Sequence, residues 1–406
     1  MTTLIKMAFR DLLRNKRRTF FSCLALGMGL GLLLLMAAFI AGEMRGSMDN
    51  GIRLESGHLQ VRAKTYDENK NSLEYEDLVV NPDTISAKIA GLSPVKTATP
   101  RLYASGILVN GEETNGVRIM GIDPKSEANV PFREGMIAGD FLSADDRSGI
   151  LLGKTLADKI DVKTGESVNL LINTSDGDVD QQTFTIRGVF NTHTPGFDEF
   201  TLLMPMAKAQ AITRTENHAS IIFVLLKNID DTQNVADALK TEQLQVLTYT
   251  QMNEIVVQTE ELARGYMILI YIIVLAITAA VVVNTLIMSV YERTREIGIL
   301  AAIGMKGPRI MLMFFIESCF LAVGGILLGL VIGGIMVYYT STYGFYIGNY
   351  GVTGFLVGET IYSYLTFNDA LSLTILAFIV TLVGALYPAI MAARMEPVEA
   401  MRDAKS

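Results

Sequence analysis

The chain has 406 residues, half of them hydrophobic, and a formal charge of -8. With a positive mean hydropathy it is too apolar for a wholly soluble protein and too polar to lie entirely in a bilayer, so a mixed architecture follows. The charge is uneven: residues 42–265 carry 21 Lys and Arg against 33 Asp and Glu, and this acidic stretch argues against nucleic acid as a partner.

Residues 1–19 set Leu4, Phe9, Leu12 and Leu13 against Lys6, Arg10, Arg14 and Arg17 at near-helical spacing, the pattern of an amphipathic helix lying on a membrane surface. The uncharged run Phe20 to Ala41 follows. A basic stretch before an apolar run also suits a secretory signal, but this run exceeds the length of a signal's apolar core and no A-x-A-like cleavage site follows it, so it reads as a retained first span. Residues 42–265 form the polar region. HLQVRA, RLYASGILV, SVNLLI, QTFTIRGVF and SIIFVLL alternate like strands, whereas DTISAKIAGL, KTLADKI and DTQNVADALKTEQL read as helices. Asn110-Gly111 and Asn115-Gly116 carry the signature of tight turns. The region is therefore expected to be α+β, with helical stalks near Glu43 to Ile52 and Tyr249 to Arg264 extending the flanking spans outward.

A second span is expected over 266–290, a third over 310–339 and a fourth over 370–393, each long enough for a core ~30 Å thick that needs about 20 apolar residues. Between the second and third lies Tyr291 to Arg309, YERTREIGILAAIGMKGPR. Here Glu292, Arg295 and Glu296 share one helical face while Ile297, Leu300, Ala301 and Gly304 gather on another. One reading is a polar loop held by its positive charges. The other is a coupling helix pushed on by a soluble partner, with Ala302, Gly304 and Gly307 permitting close approach and Gly307-Pro308 ending the helix.

Lys and Arg number six in residues 1–19, four in 291–309 and three in the tail 394–406, whereas 340–369 has none. The positive-inside rule then places both termini and the 291–309 segment in the cytoplasm, and the 42–265 region and the 340–369 loop outside. The loop, Tyr343 to Tyr364, is rich in Gly and Tyr and suits the outer interface; a re-entrant or partner-facing loop is the competing reading. Glu317 is the one charge well inside an apolar run, either reaching the inner interface or serving a conformational role with an arginine of the coupling segment. Gly27, Gly29 and Gly31, with the successive G-x3-G pairs Gly325/Gly329 and Gly329/Gly333, allow close helix contact. Four spans make a thin bundle, so a dimer is expected.

Little in the chain carries catalysis. Ser148-Gly-Ile-Leu-Leu-Gly-Lys-Thr155 imitates a phosphate loop, but serine stands where the first glycine belongs, and the segment reads as a strand entering a helix. His58, His193 and His218 lack the spacing of a metal site, so no metal ligands are assigned, and His58 reads as a packed or hydrogen-bonded strand residue. Cys23 and Cys319 both lie in apolar runs, leaving the polar region without a disulfide.

The motif ERTREIGILAAIG, followed by an apolar run holding Glu317, resembles the signature of FtsX-like permeases, the membrane subunits of the ABC transporter class that includes MacB and LolC/LolE. The opening MAFRDLLRNKRRTF and the closing GALYPAIMAARMEPVEAMR, with Pro388, Ala392, Arg394, Pro397 and Arg402 in place, match the same class. The resemblance implies four transmembrane helices, with a large α+β periplasmic core domain of the MacB kind between the first and second. It also implies an inner-membrane permease that binds no cofactor itself, with ATP and Mg held by a separate cytoplasmic ATPase. ATPase coupling would fall on Glu292, Arg293, Arg295, Glu296, Ile297, Gly298, Leu300, Ala302, Gly304 and Arg309. Conformational roles would fall on Glu317 and Pro388, and cytoplasmic-tail roles on Arg394, Pro397 and Arg402. Expected partners are the ATPase, a second permease chain as homodimer or heterodimer, the lipid bilayer, and a periplasmic carrier or adaptor as a further candidate.

The family's outer domain has two lobes, one inserted in the other, which puts an inserted lobe near 132–200. Ectodomain size and the SGHLQV strand favour the lipoprotein-releasing LolC/LolE branch. MacB-like efflux or peptide export, and an FtsX-type regulator of a cell-wall hydrolase, are the alternatives. The chain departs from the LolC pattern between Leu171 and Thr183, where a proline-bearing hook loop would dock the carrier and only the short acidic INTSDGDVDQQ stands.

Overall fold

A computed structural model describes residues 2–67, 70–241, 243–348 and 356–395. These fall into two compact units. One comprises the described parts of Met1–Glu43, Glu260–Phe345 and the chain from Tyr362 onward; the other comprises those of Met44–Thr259 and Tyr346–Ile361.

The first unit contains helices of membrane-crossing length. Among the described residues four are long and apolar enough: Lys16–Gly51, Glu254–Glu292, Gly307–Tyr343 and Phe367–Ala393. Leu30, Leu33, Leu34, Leu275, Ile326, Leu373 and Ala377 form their shared core. Outward positions such as Ile272, Leu327, Val331, Ile335 and Val383 are also apolar, as expected of helices that meet lipid. The first and third helices approach almost backbone to backbone: a Cβ on Gly329 would lie 3.0 Å from the Gly27 carbonyl oxygen, and one on Gly31 would lie 3.2 Å from the Gly333 amide nitrogen. The glycine pairs therefore close this chain upon itself. The N-terminal helix Thr2–Arg14 buries Ala8, Asp11 and Leu12 and leaves Ile5, Phe9 and Leu13 exposed.

The inserted domain is built on a ten-stranded sheet. Its strands are β1 (Leu59–Ala63), β2 (Val95–Asn110), β3 (Glu113–Ile122), β4 (Met136–Gly139), β5 (Gly149–Gly153), β6 (Ser167–Asn173), β7 (Val179–Phe190), β8 (Thr201–Pro205), β9 (Ile221–Leu226) and β10 (Leu244–Thr248). The order is β10-β1-β9-β2-β3-β8-β5-β7-β4, with β6 joining β2 and β7. Every strand expected from alternation is present. The long strand β2 pairs with β9 through Val95 to Arg101 and with β6 through Gly106 to Val109, so one strand runs past three hydrophobic cores. The core beside residues 132–200 also draws on Leu102, Leu108, Ile119 and Ile212.

Two local expectations are corrected. Asn110 pairs with Glu113 across the two-residue turn Gly111-Glu112, whose Gly111 has φ +62, so the tight turn stands one residue on, with glycine at its first position. Asn115-Gly116, by contrast, lies within β3 opposite Leu108 and Ile107, because the hairpin has already reversed the chain. Gly307-Pro308 does not end a helix either. It opens the third membrane helix, with proline in the first turn, where a missing N–H costs nothing.

The phosphate-loop imitation is β5 running into the helix Lys154–Lys159. His58 is a strand residue whose Nδ1 accepts the Leu226 N–H at 3.0 Å. The β6–β7 tip is tied down, since Arg214 pairs with Asp176 at 2.7 Å and Asp178 at 3.3 Å. Of the Tyr343–Tyr364 stretch, residues 349–355 lie outside the described part. Leu356 and Glu359 belong with the inserted domain: the Leu356 carbonyl accepts from Asn50 Nδ2 at 3.0 Å, and the Glu359 N–H donates to the His193 carbonyl at 2.8 Å.

Beside Glu359 lies Asp198, which is 1% exposed and accepts hydrogen bonds from the Thr192 N–H at 2.9 Å and hydroxyl at 2.8 Å. Burial pushes its carboxyl from 3.8 up to about 7, against the opposing pull of the Thr192 hydrogen bonds. The folded protein thus retains a proton that the unfolded chain releases, so this residue's contribution to stability falls as pH rises from 3.8 to about 7. Thermal unfolding measured across that range is expected to show Asp198→Asn losing part of the wild-type decline; an unchanged pH profile would show that Asp198 is ionised throughout.

Candidate functional site

The second membrane helix ends at Glu292, and a short helix, Thr294–Ala302, begins after the bend at Arg293, whose φ of -111 and ψ of 12 break the helical path. The Arg293 side chain is 4% exposed and turns inward. It ion-pairs with Asp11 of the N-terminal helix, places Nη1 3.3 Å from Glu317 Oε2 on the third membrane helix, and places Nε 3.7 Å from Glu296 Oε2. Glu317 is 2% exposed and also accepts from the Ser289 hydroxyl at 3.4 Å. It therefore faces protein, paired with an arginine beside the short helix, and does not reach out to an interface.

Two surface pairs add to this centre: Arg14 to Glu296 at 2.9 Å and Arg18 to Glu292 at 2.6 Å. Each is partly solvated and worth about 0–1 kcal/mol. The buried cation matters more, because a charge taken out of water is stable only where its hydrogen-bonding groups meet partners. One side chain thereby joins the N-terminal helix, the second membrane helix, the short helix and the third membrane helix.

The short helix has two faces. Ile297 and Gly298 are buried and Leu300 and Ala301 partly so, and Ile297 and Ala301 pack with Val290, Ile310, Phe314, Ala389 and Ala392. Arg295, Ile299, Ala302 and Ile303 are exposed. Ile303 is 80% exposed and Tyr291 62%. Arg295, Ile299 and Ile303 are four residues apart and form a single stripe. Gly304, with φ +98, turns the chain out of the helix in a conformation that side chains with a Cβ resist. Arg309 is exposed at the start of the third membrane helix.

Pro388 is buried inside the fourth membrane helix, whose last turn is closed by the Arg394 N–H donating to the Ile390 carbonyl at 3.1 Å. Pro397 and Arg402 lie outside the described residues. The geometry thus gathers Arg293, Glu296 and Glu317 into one network with Asp11, pairs Glu292 separately with Arg18, and leaves Arg295, Ala302, Gly304 and Arg309 at the surface. Sequence reasoning missed Asp11 and Ser289, and it missed Tyr291, Ile299 and Ile303 as exposed apolar residues. Asp11 did leave a trace, as the one acid in the basic opening segment. Among the described residues no group of three or more His, Cys, Asp or Glu could hold a metal ion.

Residues 19–242 match the model of the MacB-like periplasmic core domain, and residues 268–397 match that of the FtsX-like permease C-terminal. The chain is 25% identical over 419 aligned residues to the lipoprotein-releasing system transmembrane protein LolC of Xylella fastidiosa, covering 96% of each. It is 23% identical to the LolC of Neisseria meningitidis serogroup B, covering 76% of this chain and 78% of that one. It is also 24% identical to the macrolide export ATP-binding/permease protein MacB of Mannheimia succiniciproducens, covering 81% of this chain and 53% of that protein. Four membrane helices, a large α/β domain between the first and second, and these matches define an ABC transporter permease of the LolC/LolE and MacB type. The chain belongs to the family of the MacB-like periplasmic core domain, here followed by an FtsX-like permease C-terminal part.

Removing Arg293 leaves two carboxylates buried without their cation. Arg293→Met is expected to cost roughly 3–5 kcal/mol of stability, read as a lower unfolding temperature of the detergent-solubilised chain. Adding Asp11→Asn and Glu317→Gln should recover most of it. An unfolding temperature unaltered by Arg293→Met would contradict the network's role.

Proposed function

We propose that this chain is a permease subunit moved mechanically by a separate cytoplasmic ATPase, which docks on the stripe formed by Arg295, Ile299 and Ile303, with exposed Tyr291 on the preceding helix. The observation that carries this reading is the division of labour in the short helix. One face is rooted in the protein by Ile297 and the Arg293 network, while the other leaves large apolar side chains exposed. Such residues at a polar surface mark a protein contact, and small Ala302 and Gly304 beside them leave room for a partner's surface. A push on this helix reaches Glu317 and Asp11 through one shared guanidinium, so it would shift the third membrane helix and the N-terminal helix together.

In this reading ATP and Mg bind only the partner, both termini and the short helix lie in the cytoplasm, and the inserted domain lies in the periplasm. A second permease chain completes the membrane assembly. The proposed cargo is lipoprotein leaving the inner membrane; the LolC relatives, one of them matched over 96% of its length, support this.

Ile303→Glu and Ile299→Glu should weaken retention of the ATPase subunit about ten-fold or more, since each buries a charge in an apolar contact. Lys306→Gln, exposed and off the stripe, should leave it unchanged. Co-purification from membranes and ATP-driven release of a lipidated reporter from vesicles are the two measurements. Wild-type retention and release in both glutamate variants would reduce the short helix to a loop.

A further inference from the structure

The first membrane helix does not stop at the bilayer: Lys16–Gly51 is one continuous helix whose last turns belong to the inserted-domain unit. At its end the hydrogen bonding widens into a π turn, Ile52–Ser56, closed by the Gly57 N–H donating to the Ile52 carbonyl at 3.0 Å. A helix end exposes carbonyls that its own ladder does not satisfy. Here side chains of the central sheet meet them. Arg101 Nη1 of β2 donates to the Leu54 carbonyl at 2.7 Å, and the Tyr103 hydroxyl, also of β2, donates to the Glu55 carbonyl at 3.2 Å. Arg118 of β3 ion-pairs with the Glu55 carboxylate. Ser56 Oγ donates to the Gly51 carbonyl at 3.1 Å, fixing the turn from within.

Arg101 is fully buried. Its guanidinium carbon sits 3.7 Å from the centre of the Phe223 ring, and Nη2 is 3.5 Å from Asn129 Oδ1. A cation in such a place is costly to the fold, and desolvation lowers its pKa. An apolar residue would fill the volume more cheaply. What leucine or methionine cannot do is hold the turn's carbonyl, and a planar, always charged donor that also stacks on an aromatic ring suits that task.

We propose that Arg101, Tyr103 and Arg118 form a clamp on the Ile52–Ser56 turn, and that this clamp is the joint through which movement of the first membrane helix is delivered to the sheet. The inference deepens the permease reading and rests on it. Arg101 and Tyr103 lie on β2, the strand that runs past three cores, and Arg118 lies on β3 beside it. Force entering at the turn is therefore shared between two neighbouring strands in the middle of the sheet order. A plain loop at this point would let the helix move while the sheet stayed still.

The test uses the complex with its ATPase in vesicles, and hydrogen exchange of backbone amides with and without ATP and vanadate. In the wild type, exchange is expected to change both in residues 44–51 and in strand segments 99–106 and 117–122. In Arg101→Met and in Glu55→Gln, the change in 44–51 and the ATP turnover should persist, while the change in the strands falls about ten-fold, the size of a lost coupling term. Glu55 and Arg118 are partly exposed, so Glu55→Gln keeps the test valid if Arg101→Met does not fold. Wild-type strand responses in Glu55→Gln would overturn the joint while leaving the permease reading intact. A wild-type complex in which ATP alters neither segment would overturn the permease reading and the joint with it.

Discussion

The span unit turns on a single buried cation. Arg293 stands where the second membrane helix bends into the short helix, and its guanidinium is shared by Asp11 and Glu317. A buried charge costs heavily unless it is paired, and here the arginine and the two acids pair with one another. The three residues come from distant parts of the chain, so the N-terminal helix, the bend and the third membrane helix must all be in place before any of the charges is satisfied. That mutual dependence gives the short helix a fixed attachment to the bundle despite its length of nine residues.

The close glycine contact between the first and third membrane helices has the same effect on the apolar side. Gly27 and Gly31 against Gly325, Gly329 and Gly333 bring backbones together, so a displacement of the third helix is carried into the first by van der Waals contact over more than one turn. The first helix in turn runs without interruption to Gly51 and ends in the arginine-held π turn. Polar residues thus mark two places where elements meet, one at Arg293 and one at Arg101, and apolar packing fills the distance between helices.

Much of this architecture is legible in the chain because its signals are local. Uncharged runs of more than twenty residues, and alternation in segments such as SVNLLI and SIIFVLL, report burial directly. The segment at 291–309 stands out for the same reason, as charge between two apolar runs. What could not be read depends on partners far off in sequence. Nothing near Arg293 announces that it faces inward, since Asp11 and Glu317 supply the reason, and an arginine in ERTREIG looks like any other surface charge. Asn115-Gly116 has turn chemistry, but the hairpin at Gly111 fixes the register that makes it strand. Gly307-Pro308 is ambiguous in principle, because proline is tolerated at a helix start as well as after an end, and only Gly304, with its positive φ, decides where the short helix stops. Arg101 offered no signal at all, for a lone arginine in an alternating strand ordinarily points to solvent.

Transmission of force across the membrane requires the short helix and the inserted domain to lie on opposite sides of it. Lys163 of the inserted domain and Ile303 of the short helix are both exposed, and single cysteines can be placed there once Cys23 and Cys319 are changed to serine. A membrane-impermeant maleimide applied to spheroplasts should label Lys163→Cys at once and Ile303→Cys only after the inner membrane is opened. Labelling of both from outside, or of Ile303→Cys alone, would contradict the orientation and the transmission of motion built upon it.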